Sequence, residues 1–345
     1  MTNVTLVTDV AKGSALGNAL QAWADNISVL SNGAHQISVF FPGELVGTFE
    51  TFDALTSGQV DMAFFTPAFY EASLEGASAL TVPFLDALGP NSAAALDVAL
   101  RSGAIDTQFN VFGISSLAAT FGEPYALVTD FDFSDPTLAL GSTFFGAGFT
   151  SDLVTLLGGN PVNLPLAETF QALFSGVVDG GFLPVSAVDI LDLDSITSTA
   201  FLGPSDTGFL QLYRSLAIND LAFGSFPQDL RTLIEQTTGE LLSRTLGTAE
   251  QNGYQMSRAS LSPSDYVEEL AGADFDAWNA AGQTVLQNYQ SNLSNSAPDY
   301  LGSFQSALAM MVDQIANNGP NEITGDATAD LLDGLGGNDT LLGNG

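Results

Sequence analysis

Along the first third of the chain, short apolar runs alternate with stretches whose apolar residues recur at steps of three and four. "VTLVTDV" (4–10) reads as a strand, and Leu16, Leu20, Trp23, Ile27 and Leu30 then mark one face of a helix ended by Asn32-Gly33. "HQISVFF" (35–41) alternates Ile37, Val39 and Phe41 as a strand does and is halted by Pro42-Gly43. "TFETFDALTSG" (48–58) predicts a second helix, "VDMAFF" (60–65) a strand, "AAALDVALRSG" (93–103) a helix and "FNVFGIS" (109–115) a strand. The pattern restarts with "TLALGSTF" (137–144), "NPVNLP" (160–165) and "VDGGFLP" (178–184) as strands, and "FTSDLVTLLGG" (149–159) and "ETFQALFSG" (168–176) as helices between them. Strands spaced by helices imply parallel βαβ units, and two successive sets imply two α/β lobes with a cleft between them. After Pro227 the apolar spacing is helical throughout 228–257, 274–293 and 300–319, long enough to brace both lobes.

Composition narrows the functional classes. The 345 residues are 46% hydrophobic, enough to bury cores of ordinary domain size. Net charge is −33, because Lys12 and five arginines are the only bases besides one histidine. Nucleic acid and anionic membrane surfaces, which need clustered Lys and Arg, are therefore poor partners. No apolar run approaches a membrane span, and the N-terminus has neither the basic nor the apolar region of a signal peptide. Absence of cysteine excludes disulfides and thiol chemistry.

Catalysis finds little support. His35 is the only histidine and opens a strand after a turn, where a solvated surface role is expected. No Ser-His-Asp set, GxGxxG-strand-helix pattern or P-loop is present. Asp189, Asp192 and Asp194 could hold a cation, but a solvated loop is the simpler expectation. The chain reads as a binding protein, not an enzyme.

Several ordered blocks carry a resemblance. "SNGAHQISVFFPGELVGTFETFDALTSGQVDMAFF" (31–65), "TVPFL" (81–85) and "LGGNPVNLPLAETFQALFSGVVDGGFLPVSAV" (157–188) resemble the substrate-binding proteins of TRAP transporters, the DctP type. The resemblance spans roughly 4–310. It implies two α/β lobes closing on a small organic acid, a TRAP-type membrane transporter as partner, and a monomer. On that basis lobe 1 is expected at 1–118 plus about 209–245, lobe 2 at 119–208, bracing helices at 246–318, and a linker with repeats at 319–345.

The resemblance also implies site residues. Such proteins clamp the ligand carboxylate with an arginine near the start of lobe 2, because guanidinium offers a bidentate fork. Here that position falls on Gly141, and no arginine occurs between Arg101 and Arg214. A second basic position falls near Phe121, and Leu166 and Leu183 stand at sites that are aromatic or polar in relatives. Together with Phe65, Thr66, Phe69, Phe144, Phe145 and Phe182 these residues are expected to line a pocket for a neutral, largely apolar ligand. The competing expectations are that the phenylalanines are core, that the cleft is closed and the protein a scaffold, or that an organic acid is held by a different anion clamp.

The tail has a period of nine: "GDATADLLD" (325–333) is followed by "GLGGNDTLL" (334–342). It resembles the start of calcium-binding RTX repeats, whose glycine turns and aspartates bind Ca²⁺ while the apolar position packs inside a β-roll. The implied ligands are Asp330, Gly334, Gly336, Asn338 and Asp339, with Ca²⁺ as cofactor. RTX repeats imply type I secretion to the outside of the cell, the periplasm being the alternative, and a chain truncated from a longer one.

Overall fold

In the computed structural model, described here for residues 1–74, 80–81, 83–85, 87–101, 106–164, 168–261, 266–292, 302–303, 305–307, 309, 322–324 and 340–342, the chain builds one sheet, crosses to build a second, and returns. The first pass contains β1 (Thr2–Thr8), α1 (Ala15–Leu30), β2 (His35–Phe40), α2 (Thr51–Thr56), β3 (Met62–Phe65), α3 (Pro90–Arg101), α4 (Asp106–Val111) and β4 (Ile114–Phe121). The second lobe contains β5 (Tyr125–Thr129), β6 (Thr143–Phe145), α5 (Phe149–Leu156), β7 (Asn160–Val162), α6 (Thr169–Phe174), β8 (Gly180–Pro184), α7 (Val185–Ile190) and β9 (Thr199–Leu202). The return pass adds β10 (Tyr213–Asn219), α8 (Asp220–Ser225), α9 (Gln228–Thr237), α10 (Glu240–Leu261), β11 (Val267–Glu269) and α11 (Gly272–Asn292).

Sheet order is β2-β1-β3-β10-β4 in lobe 1 and β11-β9-β5-β8-β6-β7 in lobe 2. The expected parallel units are present, but both sheets are mixed. β10 runs antiparallel to β3 and β4, and β5 antiparallel to β8 and β9. The reason is the route: β10 re-enters lobe 1 directly from the other lobe, without a crossover helix to restore its direction. Two expected strands differ from the periodicity reading, and β5, β9 and β10 have no counterpart in it. The strand expected over 137–144 shrinks to β6, preceded by a 3₁₀ turn at Pro136–Ala139, and 109–115 divides between the end of α4 and the start of β4. β11, a short strand inside the region expected to be all helix, is paired in parallel with β9.

Leu16, Leu20, Trp23 and Ile27 of α1 pack with Val4 and Leu6 of β1 against α9 and α10, as the period of the helix requires. The opposite face of the sheet holds Phe52, Phe65 and Phe109. α10 joins the lobes: Leu242 and Leu246 belong to the lobe 1 core, Tyr254 and Leu261 to that of lobe 2. Its approach to α3 depends on Gly247, where a Cβ would come within 2.6 Å of the Gly89 carbonyl oxygen and 2.7 Å of the Ala93 methyl. No described helix is long and apolar enough to cross a membrane. In the tail, β12 (Glu322–Thr324) and β13 (Thr340–Leu342) pair in parallel, Glu322 opposite Thr340, eighteen positions on.

Candidate functional site

Open α/β sheets take ligands at the carboxyl ends of their parallel strands. In lobe 1 those ends are Thr8-Asp9 after β1, Phe65-Thr66 after β3 and Phe121 after β4; antiparallel β10 places its first residues, Tyr213 and Arg214, at the same end. In lobe 2 the matching end carries Phe145 of β6, Pro184 of β8 and Tyr125, which opens β5. Two passes of chain connect the lobes and are bonded to each other. Gly122 N–H donates to Leu212 O at 2.7 Å, Tyr125 N–H to Leu210 O at 3.0 Å, and Phe209 N–H to Tyr125 O at 2.9 Å.

A charged cluster follows this hinge. Asp9, its side chain 2% exposed, accepts the Thr66 N–H on Oδ2 at 2.7 Å. Arg214 Nε lies 3.6 Å from Asp9 Oδ1, and its Nη1 lies 3.5 Å from Glu250 Oε1 of α10. Glu250 accepts the Glu123 N–H at 2.9 Å, and the Glu123 carboxylate accepts both the N–H of Ser186, at 2.8 Å, and its hydroxyl. One array thus runs from β1 through the brace helix and the hinge to the start of α7. A Cβ at Gly122 would sit 2.5 Å from Arg214 Nη1 and 3.1 Å from the Leu212 carbonyl oxygen, so a side chain there would displace the guanidinium from this array.

Burial dominates the electrostatics. It raises Asp9 and Glu250 from their ordinary values despite Arg214, and it lifts Glu123 to about 7, with Glu250 adding to the rise and Ser186 and Arg214 opposing it. Tyr125 is pushed to about 12, mainly by burial. Arg214 is desolvated as well, but Glu250 and Asp9 more than offset this and hold its proton. Asp9 Oδ1 and Arg214 Nε are buried with no hydrogen-bond partner, their mutual distance being that of an ion pair only. Lys12, just beyond β1, binds Glu44 at 2.6 Å.

The residues singled out from the sequence divide between core and rim. Phe121, Phe144 and Phe182 are core: Phe121 lies against Tyr213, while Phe144 and Phe182 join Phe133, Phe201, Phe209 and Trp278 inside lobe 2. Phe65 packs with Phe52 and Phe109 in lobe 1, and Leu183 with Val185 and Val188 in lobe 2. The expectation that these five line a pocket is corrected by their burial: the lobe 2 sheet is covered on both faces, so Phe182 and Leu183, neighbours on β8 that point to opposite sides, both end in a core. Gly141 is also corrected. It is exposed, at φ +81°, and gives its N–H to Gly158 before β6 begins, so it sits at the opposite end of that strand from Phe145. Thr66 is buried but at the cleft end, Phe145 is partly buried there, and Phe69 is 43% exposed with its ring edge-on to the exposed Phe49 at 5.3 Å. Leu166 and the tail positions Asp330, Gly334, Gly336, Asn338 and Asp339 lie outside the described residues.

His35 is not solvated: it is 5% exposed, and Nε2 meets Asp229 of α9 at 3.0 Å, a tether between β2 and that helix. Asp189, Asp192 and Asp194 are all exposed, and among the described residues no group of three or more His, Cys, Asp or Glu is placed to hold a metal. The sequence reading missed Asp9, Glu123, Arg214 and Glu250. A signal existed for two of them: Asp9 directly follows the first strand, and Arg214 is the only base between Arg101 and Arg231.

A model of the family described as bacterial extracellular solute-binding protein, family 7 (DctP), matches residues 6–88 and 146–292. Among solved structures, a TRAP periplasmic solute-binding protein from Bordetella bronchiseptica with bound (R)- and (S)-mandelate is 20% identical, with TM-score 0.78, over 91% of this chain and 99% of that one. A TRAP solute-binding protein from Rhodoferax ferrireducens with copurified benzoate gives 20% identity and TM-score 0.77 over 91% and 98%. A TRAP periplasmic protein from Pseudomonas aeruginosa with bound L-malate gives 18% and 0.72 over 84% and 100%. At these identities the likeness is one of fold.

Proposed function

The chain belongs to family 7 of the bacterial extracellular solute-binding proteins, and from that premise we propose that it captures a neutral, largely apolar small molecule between its lobes for a TRAP-type membrane transporter. One observation carries the reading: residues 119–208, which build lobe 2, contain no Lys, Arg or His. The arginine that α10 brings beside this lobe, Arg258, is paired with Asp206 at 3.2 Å, so a bound carboxylate would find no free cation on that side. On the lobe 1 side, Lys12 is bonded to Glu44, and Arg214 is shared between Asp9 and Glu250 with Glu123 close behind. A buried anion without a free counter-charge costs several kcal/mol. A neutral molecule escapes that cost, places its body on the exposed Phe49–Phe69 edge and Phe145, and presents a polar end to Asp9 and Arg214.

The runner-up is an organic-acid receptor clamped by Arg214, favoured by the acids named with the solved relatives. A matched pair of ligands separates the two. In calorimetric titration of ligand-stripped protein, benzamide is expected to bind at least about tenfold more tightly than the isosteric benzoate. Tighter binding of benzoate would overturn the neutral-ligand reading in favour of the clamp.

For the tail we propose calcium-dependent RTX-type folding and export by type I secretion. Its nine-residue period supports this, as does the pairing of Glu322 with Thr340, two periods apart, the offset of one full β-roll coil. Calcium titration of the full chain should give a heat that magnesium does not, and Asp330→Ala with Asp339→Ala should abolish it; an unchanged heat in that variant would refute the assignment.

A further inference from the structure

The exposed large apolar residues of lobe 2 are gathered at one end of its sheet. Strands β6, β7 and β8 begin at the end away from the hinge; β9 begins there too, and antiparallel β5 ends there, with Thr129 opposite both Gly180 and Thr199. The turns at this end carry apolar side chains into solvent. Phe131 (58% exposed) follows β5, Leu138 (50%) and Leu140 (74%) precede β6, Leu156 (44%) closes α5 before β7, and Phe174 (67%) and Val177 (61%) stand where α6 leads into β8. Among the described residues of lobe 2, Ile190 at the end of α7 is the only other large apolar residue so exposed.

Hydrogen bonds set these turns side by side. Gly141 N–H donates to Gly158 O at 2.9 Å, and Asn160 N–H to Ser142 O at 2.8 Å. Asp179 N–H donates to Thr143 O at 2.7 Å, while its carboxylate accepts the Thr143 N–H at 2.7 Å. The Thr129 hydroxyl donates to Asp179 O at 2.9 Å. The apolar residues therefore form a row across the neighbouring strands β7, β6, β8 and β5. Turns that face water are ordinarily polar, and a monomer leaves few apolar patches of this extent uncovered.

The charges around the row select its occupant. Asp130 and Asp132 flank Phe131 and are exposed, and Asp135 caps the 3₁₀ turn that carries Leu138. No base answers them from lobe 2, since residues 119–208 hold no Lys, Arg or His. A second copy would set carboxylates against carboxylates on a chain of net charge −33, and an anionic lipid surface would be repelled. The chain's own residues after Arg258 also contain no base. We propose that this end of lobe 2 is a docking surface for a partner protein whose contact face is apolar at its centre and ringed by lysine and arginine. The apolar row supplies affinity, and the carboxylates orient the partner and speed its approach. The surface lies at the opposite end of the lobe from the hinge, so docking leaves the cleft open to its ligand.

The probe is a fluorescein-labelled amphipathic helical peptide built only of leucine and lysine, titrated into the full chain at physiological ionic strength and followed by anisotropy. Saturable binding is expected, with none for the same peptide carrying glutamate in place of lysine. Leu140→Ser combined with Phe174→Ser, both at exposed positions, should weaken binding at least about tenfold and keep the native melting temperature. Leu221→Ser, at a position 86% exposed on lobe 1, should leave binding unchanged. The proposal is overturned if the lysine peptide does not bind, or if it binds the native protein and the double variant equally, which would mean attraction to net charge alone. Sedimentation of the native protein, alone and with phosphatidylcholine vesicles, tests the other occupants. A dimer or a vesicle complex that the double variant loses would assign the surface to a second copy or to lipid and overturn the proposal as well.

Discussion

The two lobes treat their aromatic residues alike and their strand ends differently. Lobe 1 buries Phe52, Phe65 and Phe109 on one face of its sheet, and lobe 2 buries Phe133, Phe144, Phe182 and Phe201 with Phe209 of the hinge and Trp278 of α11. Rings in the second group sit 4.9 Å apart for Phe133 and Phe144, and 5.0 Å for Phe209 and Trp278, the latter edge-to-face. At the cleft, however, lobe 1 presents Asp9 and Arg214, whereas lobe 2 presents Phe145 and has no base anywhere in its sheet. Both lobes are stabilised by the same aromatic packing, so the difference between them is confined to the few residues just beyond the strands. Ligand selectivity in such a fold can change at those residues with the cores left alone.

That contrast can be broken most forcefully at Phe182. If it belongs to the core, Phe182→Ala leaves a cavity among Phe144, Phe209 and Trp278 and costs about 3–5 kcal/mol. For a protein of this size that is a fall of roughly 5 °C in melting temperature by calorimetry. A native-like melt with weakened ligand binding would place Phe182 in the cleft instead.

Arg214 tests the other half of the comparison. Arg214→Met strands Asp9 and Glu250 as buried carboxylates and should cost about 3 kcal/mol, the low end for such pairs because the arginine side chain is 23% exposed. Adding Asp9→Asn should restore part of the loss. Equal melting temperatures for Arg214→Met and the native protein would mean that the cluster contributes nothing to stability.

The smallest effect is a pH dependence. Glu123 titrates at about 7 in the folded protein against 4.5 ordinarily, so the folded state holds its proton more tightly than the unfolded chain does. Its contribution therefore favours folding at low pH, declines as pH rises from 4.5 toward 7, and is level above that. Asp97, lifted to about 6 by burial against the pull of Arg101, acts in the same direction. Melting temperature measured across this range should fall with pH, and less steeply in Glu123→Gln; parallel curves for the two proteins would remove Glu123 from the account.

Much of the architecture was legible because it is written in local periodicity. The strand at 4–10, the helix of Leu16 to Ile27 and the strand at 178–184 are each recognisable from neighbours a few residues away, and each recurs in the fold. The antiparallel direction of β10 was not legible, since it depends on the chain arriving from the other lobe. The placement of Gly141 failed for a related reason. The apolar run over 137–144 has no internal mark for where the strand begins, and pairing with β7 and β8 starts it only at Thr143. Phe144 and Phe145, adjacent and chemically identical, part company because one faces Phe133 and Phe182 and the other packs, only partly buried, on the opposite face beside the core of Leu183 and Val185.

Taken alone, the amino-acid sequence settled two things: the alternation of strands and helices where the side-chain period is clear, as from 4 to 65, and the absence of any base from 119–208, which no fold can alter. Tertiary structure decided which phenylalanines are core, and it gathered Asp9, Glu123, Arg214 and Glu250 into one array from four distant parts of the chain. Burial and approach between distant residues depend on how the chain returns through the hinge, and local pattern carries no record of that path.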